Sequence, residues 1–126
     1  MTIKKLTAVV IEDEEYIANA LYVFLEKNGI LCHSFIDPHE YRQWLLANKV
    51  KIDIIISDFS LNKKIDGVDL INETYSKYPS VISILISGYV QESIDKINSL
   101  PSSTDIVEKP FSFKEIIRRI NIETQK

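Results

Sequence analysis

The chain has 126 residues, of which 45% are hydrophobic and 26% are charged, as in an ordinary globular domain that can bury a core without disulfides. One cysteine, Cys32, excludes a disulfide framework and cysteine-rich zinc sites, so we expect a reducing, cytoplasmic location. The net charge of −3, with scattered Lys and Arg residues, gives little basis for binding nucleic acid.

Short runs rich in β-branched residues alternate along the chain with segments of helical spacing. The runs are Leu6 to Ile11, Ile30 to Phe35, Ile52 to Ser57, Val81 to Ile86, and a weaker one at Ile106 and Val107. This alternation predicts a parallel sheet covered by helices on both faces. No run approaches the 18 apolar residues of a membrane span, and the N-terminus lacks the pattern of a signal peptide.

Helix ends are indicated by capping residues. These signals are Asn28-Gly29 at a C-terminus, Asp37-Pro38 at an N-terminus, and Ser112 with Glu115 as a capping box. Further helices are predicted over Gly67 to Tyr78 and Val90 to Leu100. Five strands and five helices occupy residues 1–126, which we expect to form a single domain with no output domain.

Polar residues follow the buried strands at their carboxyl ends, where open α/β sheets bind ligands. Glu12 and Asp13 follow the first strand, Asp58 the third, Ser87 the fourth and Lys109 the fifth. Taken singly, each acid of Glu12 to Glu15 fits a helix N-terminus equally well, and the serine and the lysine are weak signals. Asp58 is harder to explain in this way, because a carboxylate at the end of an apolar strand is costly to bury without a partner. Together, these five side chains are expected to converge on one pocket.

Three carboxylates at one edge predict a bound cation. Unit charges about 4 Å apart interact by about 4 kcal/mol at an effective dielectric of 20, so crowded carboxylates repel strongly. Oxygen ligands without His or Cys select a hard cation such as Mg²⁺. With Mg²⁺, the Lys109 ammonium and the Ser87 hydroxyl nearby, Asp58 is suited to act as a nucleophile that accepts a phosphoryl group.

The ordered set of motifs resembles the receiver domain of bacterial two-component response regulators, in a stand-alone, CheY-like form. The motifs are Glu12-Asp13, Asp58, Ser87-Gly88 and Lys109-Pro110-Phe111, and the resemblance covers essentially the whole chain. It implies an α/β, flavodoxin-like (βα)5 fold, a three-layer sandwich whose parallel five-stranded sheet has the order 2-1-3-4-5.

The resemblance also implies roles for the individual residues. Asp58 would be the phosphoacceptor, and Mg²⁺ would contact Glu12, Asp13, Asp58 and the backbone carbonyl of Ser60. Ser87 would hydrogen-bond the phosphoryl oxygens, and Lys109 would pair with Asp58 and then with the phosphate. The Lys109-Pro110 bond is expected to be cis.

The implied partners are a histidine kinase or histidine phosphotransfer protein and an unknown downstream protein, with no nucleic acid and no membrane. The domain would be a phosphoacceptor that catalyses only its own phosphorylation and dephosphorylation, not an enzyme with a separate substrate. Tyr22, Tyr89 and Phe111 are candidates for a partner-docking surface, although core packing or simple exposure explains each equally well.

The sequence departs from the family pattern near the site. Ile106 stands where the family usually carries the Tyr or Phe whose rotation reports phosphorylation, so the usual aromatic switch is in doubt. Asn62 stands where a proline often follows the phosphorylation site, and the loop to Asp66-Gly67 is one residue longer than the common form. A loop of different shape is expected there.

The same residues bear on other functions. A phosphatase of the haloacid dehalogenase type needs a second acid two residues after its nucleophile, where this chain has Ser60. A flavodoxin needs a phosphate loop rich in Ser and Thr, where Glu12 to Glu15 would repel phosphate. A receiver-like protein-binding module that is never phosphorylated stays open, because Ile106 favours it whereas Asp58 and Lys109 disfavour it.

Overall fold

The computed structural model describes residues 5–61, 64–88 and 94–125. Its strands are β1 (Thr7–Ile11), β2 (Leu31–Phe35), β3 (Ile54–Asp58), β4 (Ile82–Ser87) and β5 (Asp105–Glu108). Its helices are α1 (Glu15–Lys27), α2 (Pro38–Ala47), α3 (Gly67–Lys77), α4 (Ile94–Asn98) and α5 (Phe113–Thr124). The predicted alternation is confirmed, whereas Asn62, Tyr89 and the start of the helix predicted from Val90 lie outside the described residues.

The sheet is parallel and has the order β2-β1-β3-β4-β5, as predicted. Strand β1 pairs with β2 on one side and with β3 on the other, so Val9 lies between His33 and Ile55. All five residues of β1 and of β3 are buried. Because the strand order reverses at β1, a crevice opens beyond the carboxyl ends of β1 and β3.

The helices cover the sheet on both faces. Alternate residues of the central strands belong to different cores, so Val10 and Ile56 pack with α1 and α5 whereas Val9 and Ile55 pack with α2 and α3. Strands buried on both sides have nearly continuous apolar sequences for this reason. In the described ranges, none of the helices is both long enough and apolar enough to cross a membrane.

Most helix ends agree with the capping signals. Asp37 precedes α2, and its Oδ1 accepts a hydrogen bond of 2.9 Å from the N–H of His39, while Pro38 is the first helical residue. Gly29 follows the end of α1 with a φ of +78°, a conformation that glycine adopts without steric penalty. These local signals position α1 and α2 against the sheet.

The capping box expected at the start of α5 is only half formed. Ser112 Oγ accepts from the N–H of Glu115 at 3.2 Å, but the Glu115 carboxylate accepts from Arg119 Nη2 at 3.2 Å. The guanidinium competes well because a hydrogen bond between charged groups is stronger than one to a neutral amide. A reciprocal capping box is formed instead at α3, between Asp66 and Asp69.

Candidate functional site

Acidic side chains and a lysine meet in the crevice beyond β1 and β3. One carboxylate oxygen from each of Glu12, Asp13 and Asp58 lies within 4.8 Å of the others. Lys109 follows β5, and its Nζ lies 2.9 Å from Oδ1 of Asp58 and 3.9 Å from Oε1 of Glu12. The structure thus brings four of the sequence-predicted side chains together.

The two serines have different positions relative to this group. Ser87 is the buried last residue of β4, and its carbonyl accepts a 2.9 Å hydrogen bond from the N–H of Lys109. The residue before it, Ile86, pairs with Asp58, so Ser87 lies at the same edge of the sheet. Ser60 is exposed two residues beyond Asp58, and its carbonyl as a metal contact stays a prediction. The Lys109-Pro110 bond is cis, as expected.

Glu12 is almost completely buried, with 1% of its surface exposed. Its Oε2 accepts from the N–H of Glu14 at 3.3 Å, whereas its Oε1 has no hydrogen-bond partner within the described parts of the chain. Burial and the negative charge of Asp58 raise the pKa of Glu12 to about 7. A buried carboxylate oxygen without a donor is unfavourable, and a hard cation would satisfy it.

Lys109 balances only part of the acidic charge. Burial raises the pKa of Asp58, and the hydrogen bond and charge of Lys109 oppose this rise. Burial lowers the pKa of Lys109, but the hydrogen bond to Asp58 and the charges of Asp58 and Glu12 outweigh it, so the pKa is raised. One ammonium therefore faces up to three carboxylates, and the remaining negative charge suits a divalent ion.

The buried acid should make the stability of the metal-free protein depend on pH. The pKa of Glu12 is about 7 in the folded protein against an ordinary value of 4.5, so the folded state binds more protons between these values. The free energy of unfolding should therefore fall as the pH rises through this window, by at most about 3 kcal/mol, and level off above it. Urea unfolding in chelator at several pH values measures this fall.

Glu12→Gln is the control for this pH dependence, because glutamine does not titrate. The difference in unfolding free energy between the variant and the parent should grow in favour of the variant from acid to neutral pH. Saturating Mg²⁺ should reduce the fall in the parent by stabilising the ionised carboxylates. An identical pH slope in the two proteins would show that Glu12 is not the titrating group.

An apolar groove of about 570 Å³ lies beside the acidic group, between α1 and the loop that follows β5. Tyr16 and Ala20 of α1 line one side, and Lys109 and Phe111 line the other. Tyr16 is 86% exposed, which is unusual for so large a ring. A partner that approaches Asp58 from this side would meet a largely apolar surface.

Tyr16 is not one of the docking candidates that the sequence suggests. Of those candidates, Phe111 lines the groove, Tyr22 is exposed on α1, and Tyr89 is not among the described residues. The sequence signal for an exposed Tyr16 is its position in the helix, one turn before Ala20 and off the buried stripe of α1.

Comparison with known proteins identifies the family. The model of the response regulator receiver domain matches residues 8–121 of this chain. The chain belongs to this family. Receiver domains are phosphoacceptor signalling modules of two-component systems. The family binds Mg²⁺ at an acidic pocket and interacts with histidine kinases or phosphotransfer proteins and with downstream targets.

Two proteins similar to this receiver domain differ from it widely in sequence. The regulatory protein VirG of Agrobacterium fabrum (strain C58 / ATCC 33970) is 26% identical over 115 residues, which are 90% of this chain and 44% of VirG, so the chain spans less than half the length of that relative. A response regulator receiver protein from Sinorhizobium medicae WSM419 has the same fold, with a TM-score of 0.85, 18% identity and 98% of each chain covered.

A second solved structure with this fold is a response regulator protein from Burkholderia pseudomallei, which contains a phosphorylated aspartic acid, a calcium ion and citrate. The TM-score is 0.75 at 19% identity, and the match covers 96% of this chain and 72% of that one. The strand order β2-β1-β3-β4-β5 agrees with the flavodoxin-like fold of receiver domains.

Proposed function

We propose that this receiver domain accepts a phosphoryl group on Asp58 from a phosphohistidine of a histidine kinase or histidine phosphotransfer protein. The reaction depends on Mg²⁺, and the phosphorylated domain signals by contact with another protein. One observation carries the proposal, namely the three carboxylates within 4.8 Å of one another with the Lys109 ammonium 2.9 Å from Asp58.

The proposed transfer exchanges one bond to phosphorus for another. An oxygen of Asp58 bonds to phosphorus while the bond from phosphorus to the imidazole nitrogen breaks, and the electron pair of that bond returns to the imidazole. Lys109 keeps its proton and hydrogen-bonds first the carboxylate and then a phosphoryl oxygen, and the Ser87 hydroxyl donates to another. Transfer of this kind is catalysed mainly by alignment and by donors aimed at the equatorial oxygens.

The side chains that would hold Mg²⁺ are Glu12, Asp13 and Asp58, together with the backbone carbonyl of Ser60. The bound ion would supply positive charge that neutralises the carboxylates and the phosphoryl oxygens. The unsatisfied Oε1 of Glu12 and the purely oxygen donor set support this assignment. The Burkholderia pseudomallei structure, with its phosphorylated aspartic acid and calcium ion, is consistent with it.

The phosphodonor protein is proposed to dock on the groove that Tyr16 lines, since this groove borders Lys109 and so lies next to Asp58. Tyr16→Ala should then slow transfer from a histidine kinase at least about tenfold, the size of loss that follows truncation of a hot-spot tyrosine. Phosphorylation by acetyl phosphate, which needs no docking surface, should be unchanged.

Tyr75→Ala, in α3, is the matched control because Tyr75 is also exposed, at 39%, and does not line the groove. Purified histidine kinases of the same organism are screened for transfer to the parent, and the variants are compared with the active kinase. Equal transfer rates in the Tyr16 and Tyr75 variants would contradict docking on this groove.

Incubation with acetyl phosphate and Mg²⁺ tests the proposed phosphorylation. Intact mass spectrometry should show the gain of one phosphoryl group that is labile to hydroxylamine and absent when a chelator is present. Failure of the parent protein to gain this group at saturating Mg²⁺ would favour the alternative, a protein-binding module that is never phosphorylated.

A cytoplasmic location is proposed as well, supported by the buried free thiol of Cys32.

A further inference from the structure

A group of polar contacts joins α4 to the first turns of α3, apart from the acidic site. Nζ of Lys96, in α4, lies 2.6 Å from Oδ1 of Asp69 and 3.1 Å from Oδ2 of Asp66. Nδ2 of Asn72 donates to Oγ of Ser99, just beyond α4, at 3.3 Å. Ile97 of α4 packs half-buried against the core, but none of the described residues of α4 is fully buried, so the polar contacts also contribute to fixing this helix.

The acids that Lys96 contacts are connected to the backbone of the phosphoacceptor. Asp66 and Asp69 form the capping box of α3, and Gly67 lies between them. A Cβ at Gly67 would lie 2.2 Å from the carbonyl oxygen of Asp58, so the first turn of α3 packs directly on the Asp58 peptide. Lys96 therefore connects α4 with the element that contacts the Asp58 backbone.

Strand β4 ends at Ser87 and precedes α4 in the chain, and residues 89–93 between them lie outside the described residues. A shift of Ser87 towards a phosphoryl oxygen on Asp58 would displace the end of β4. The contacts of Lys96 hold α4 to α3 and would resist any displacement passed on to α4. Ile106, the residue at the usual switch position, is half-buried against the core beneath α2 and α3 and offers no aromatic ring.

We propose that Lys96 is an ionic latch that holds α4 in its unphosphorylated position and that phosphorylation of Asp58 works against it. The proposal rests on the proposed function of Asp58. The latch contacts stabilise the unphosphorylated protein and are lost on phosphorylation, so they lower the equilibrium constant for phosphorylation. Removing them should raise that equilibrium constant by the same factor. The side chain of Lys96 is 46% exposed, so this factor is modest.

The test compares Lys96→Met with Lys96→Arg, which keeps the charge, and with Lys49→Met, which removes an exposed lysine between α2 and β3. In the unphosphorylated proteins, hydrogen exchange of residues 94–100 should be about threefold faster in Lys96→Met than in the parent. Its phosphorylation by acetyl phosphate should also be faster, by at most about this factor, because the barrier can fall by no more than the free energy of the contacts removed. Lys96→Arg and Lys49→Met should behave like the parent.

Several results would overturn the latch. Unchanged exchange of residues 94–100 in Lys96→Met would show that Lys96 does not hold α4, and equally faster exchange in β1 and β3 would show a general loss of stability. Faster exchange without faster phosphorylation would remove the coupling to Asp58. If the parent gains no phosphoryl group, the proposed function and the coupling both fail, while the exchange data alone still decide whether Lys96 holds α4.

Discussion

Asp58→Asn should abolish phosphorylation by acetyl phosphate completely while leaving the fold intact. Asparagine has the shape of aspartate but lacks the carboxylate nucleophile. Burial raises the pKa of Asp58, so its charged form is unfavourable in the folded protein. The charge of Asp58 also repels Glu12 and raises the pKa of that residue, and loss of the charge relieves both effects. The free energy of unfolding of the metal-free variant at pH 8 should therefore equal or exceed that of the parent, which separates lost chemistry from lost structure.

Asp53→Asn is the matched control, since Asp53 lies just before β3, at the opposite end from Asp58. Its Oδ2 accepts from the N–H of Thr7 at 2.9 Å, and an amide oxygen can accept the same bond. This variant should gain one phosphoryl group, as the parent does, when both are followed by intact mass. A phosphoryl group on Asp58→Asn, in contrast, would show that another residue is the acceptor.

Lys109→Met should slow phosphorylation by acetyl phosphate at least about tenfold at saturating Mg²⁺. Methionine keeps the length of the side chain but cannot donate to the charge that develops on the phosphoryl oxygens. In the metal-free protein, Asp58 and Glu12 would also lose a counter-charge that lies 2.9 Å and 3.9 Å from their oxygens. The free energy of unfolding should fall by about 1–2 kcal/mol, below the range for a fully buried pair because Lys109 is partly exposed.

Two measurements check the role of Lys109. The rate of phosphorylation is followed by intact mass, and stability is followed by urea unfolding with and without Mg²⁺, which should reduce the loss. Lys114→Met, at an exposed position in the first turn of α5, is the control for removal of a positive charge. Equal phosphorylation rates in the two variants would mean that Lys109 does not act on the phosphoryl group.

The convergence of the site could be predicted from sequence because its signals are local. Apolar runs that end in Glu12, Asp58 and Ser87 identify strands whose carboxyl ends share one edge once the sheet is parallel. The hydrophobic period and the end of a strand depend on a few neighbouring residues, so both can be recognised in the sequence without knowledge of the tertiary contacts. The resemblance to receiver domains then supplied the strand order, which the structure confirms.

Features that depend on tertiary contacts could not be predicted. Nothing local distinguishes Lys96 from other exposed helical lysines, since its partners lie in another helix and are brought near only by the sheet. The groove beside Tyr16 likewise requires α1 to lie against the loop after β5. The signal at Ser112 was correct, but Glu115 was assigned the wrong partner because Arg119 competes for it.

We propose that Glu12, Asp13 and Asp58 gather around one divalent ion so that Asp58 can carry phosphorus. Crystals grown with Mn²⁺, which prefers the same oxygen ligands as Mg²⁺, test it directly through the anomalous signal of the metal. We expect one strong peak about 2.0–2.2 Å from oxygens of Glu12, Asp13 and Asp58, with Lys109 still hydrogen-bonded to Asp58. At saturating Mn²⁺, a peak elsewhere on the molecule or none in this crevice would contradict it.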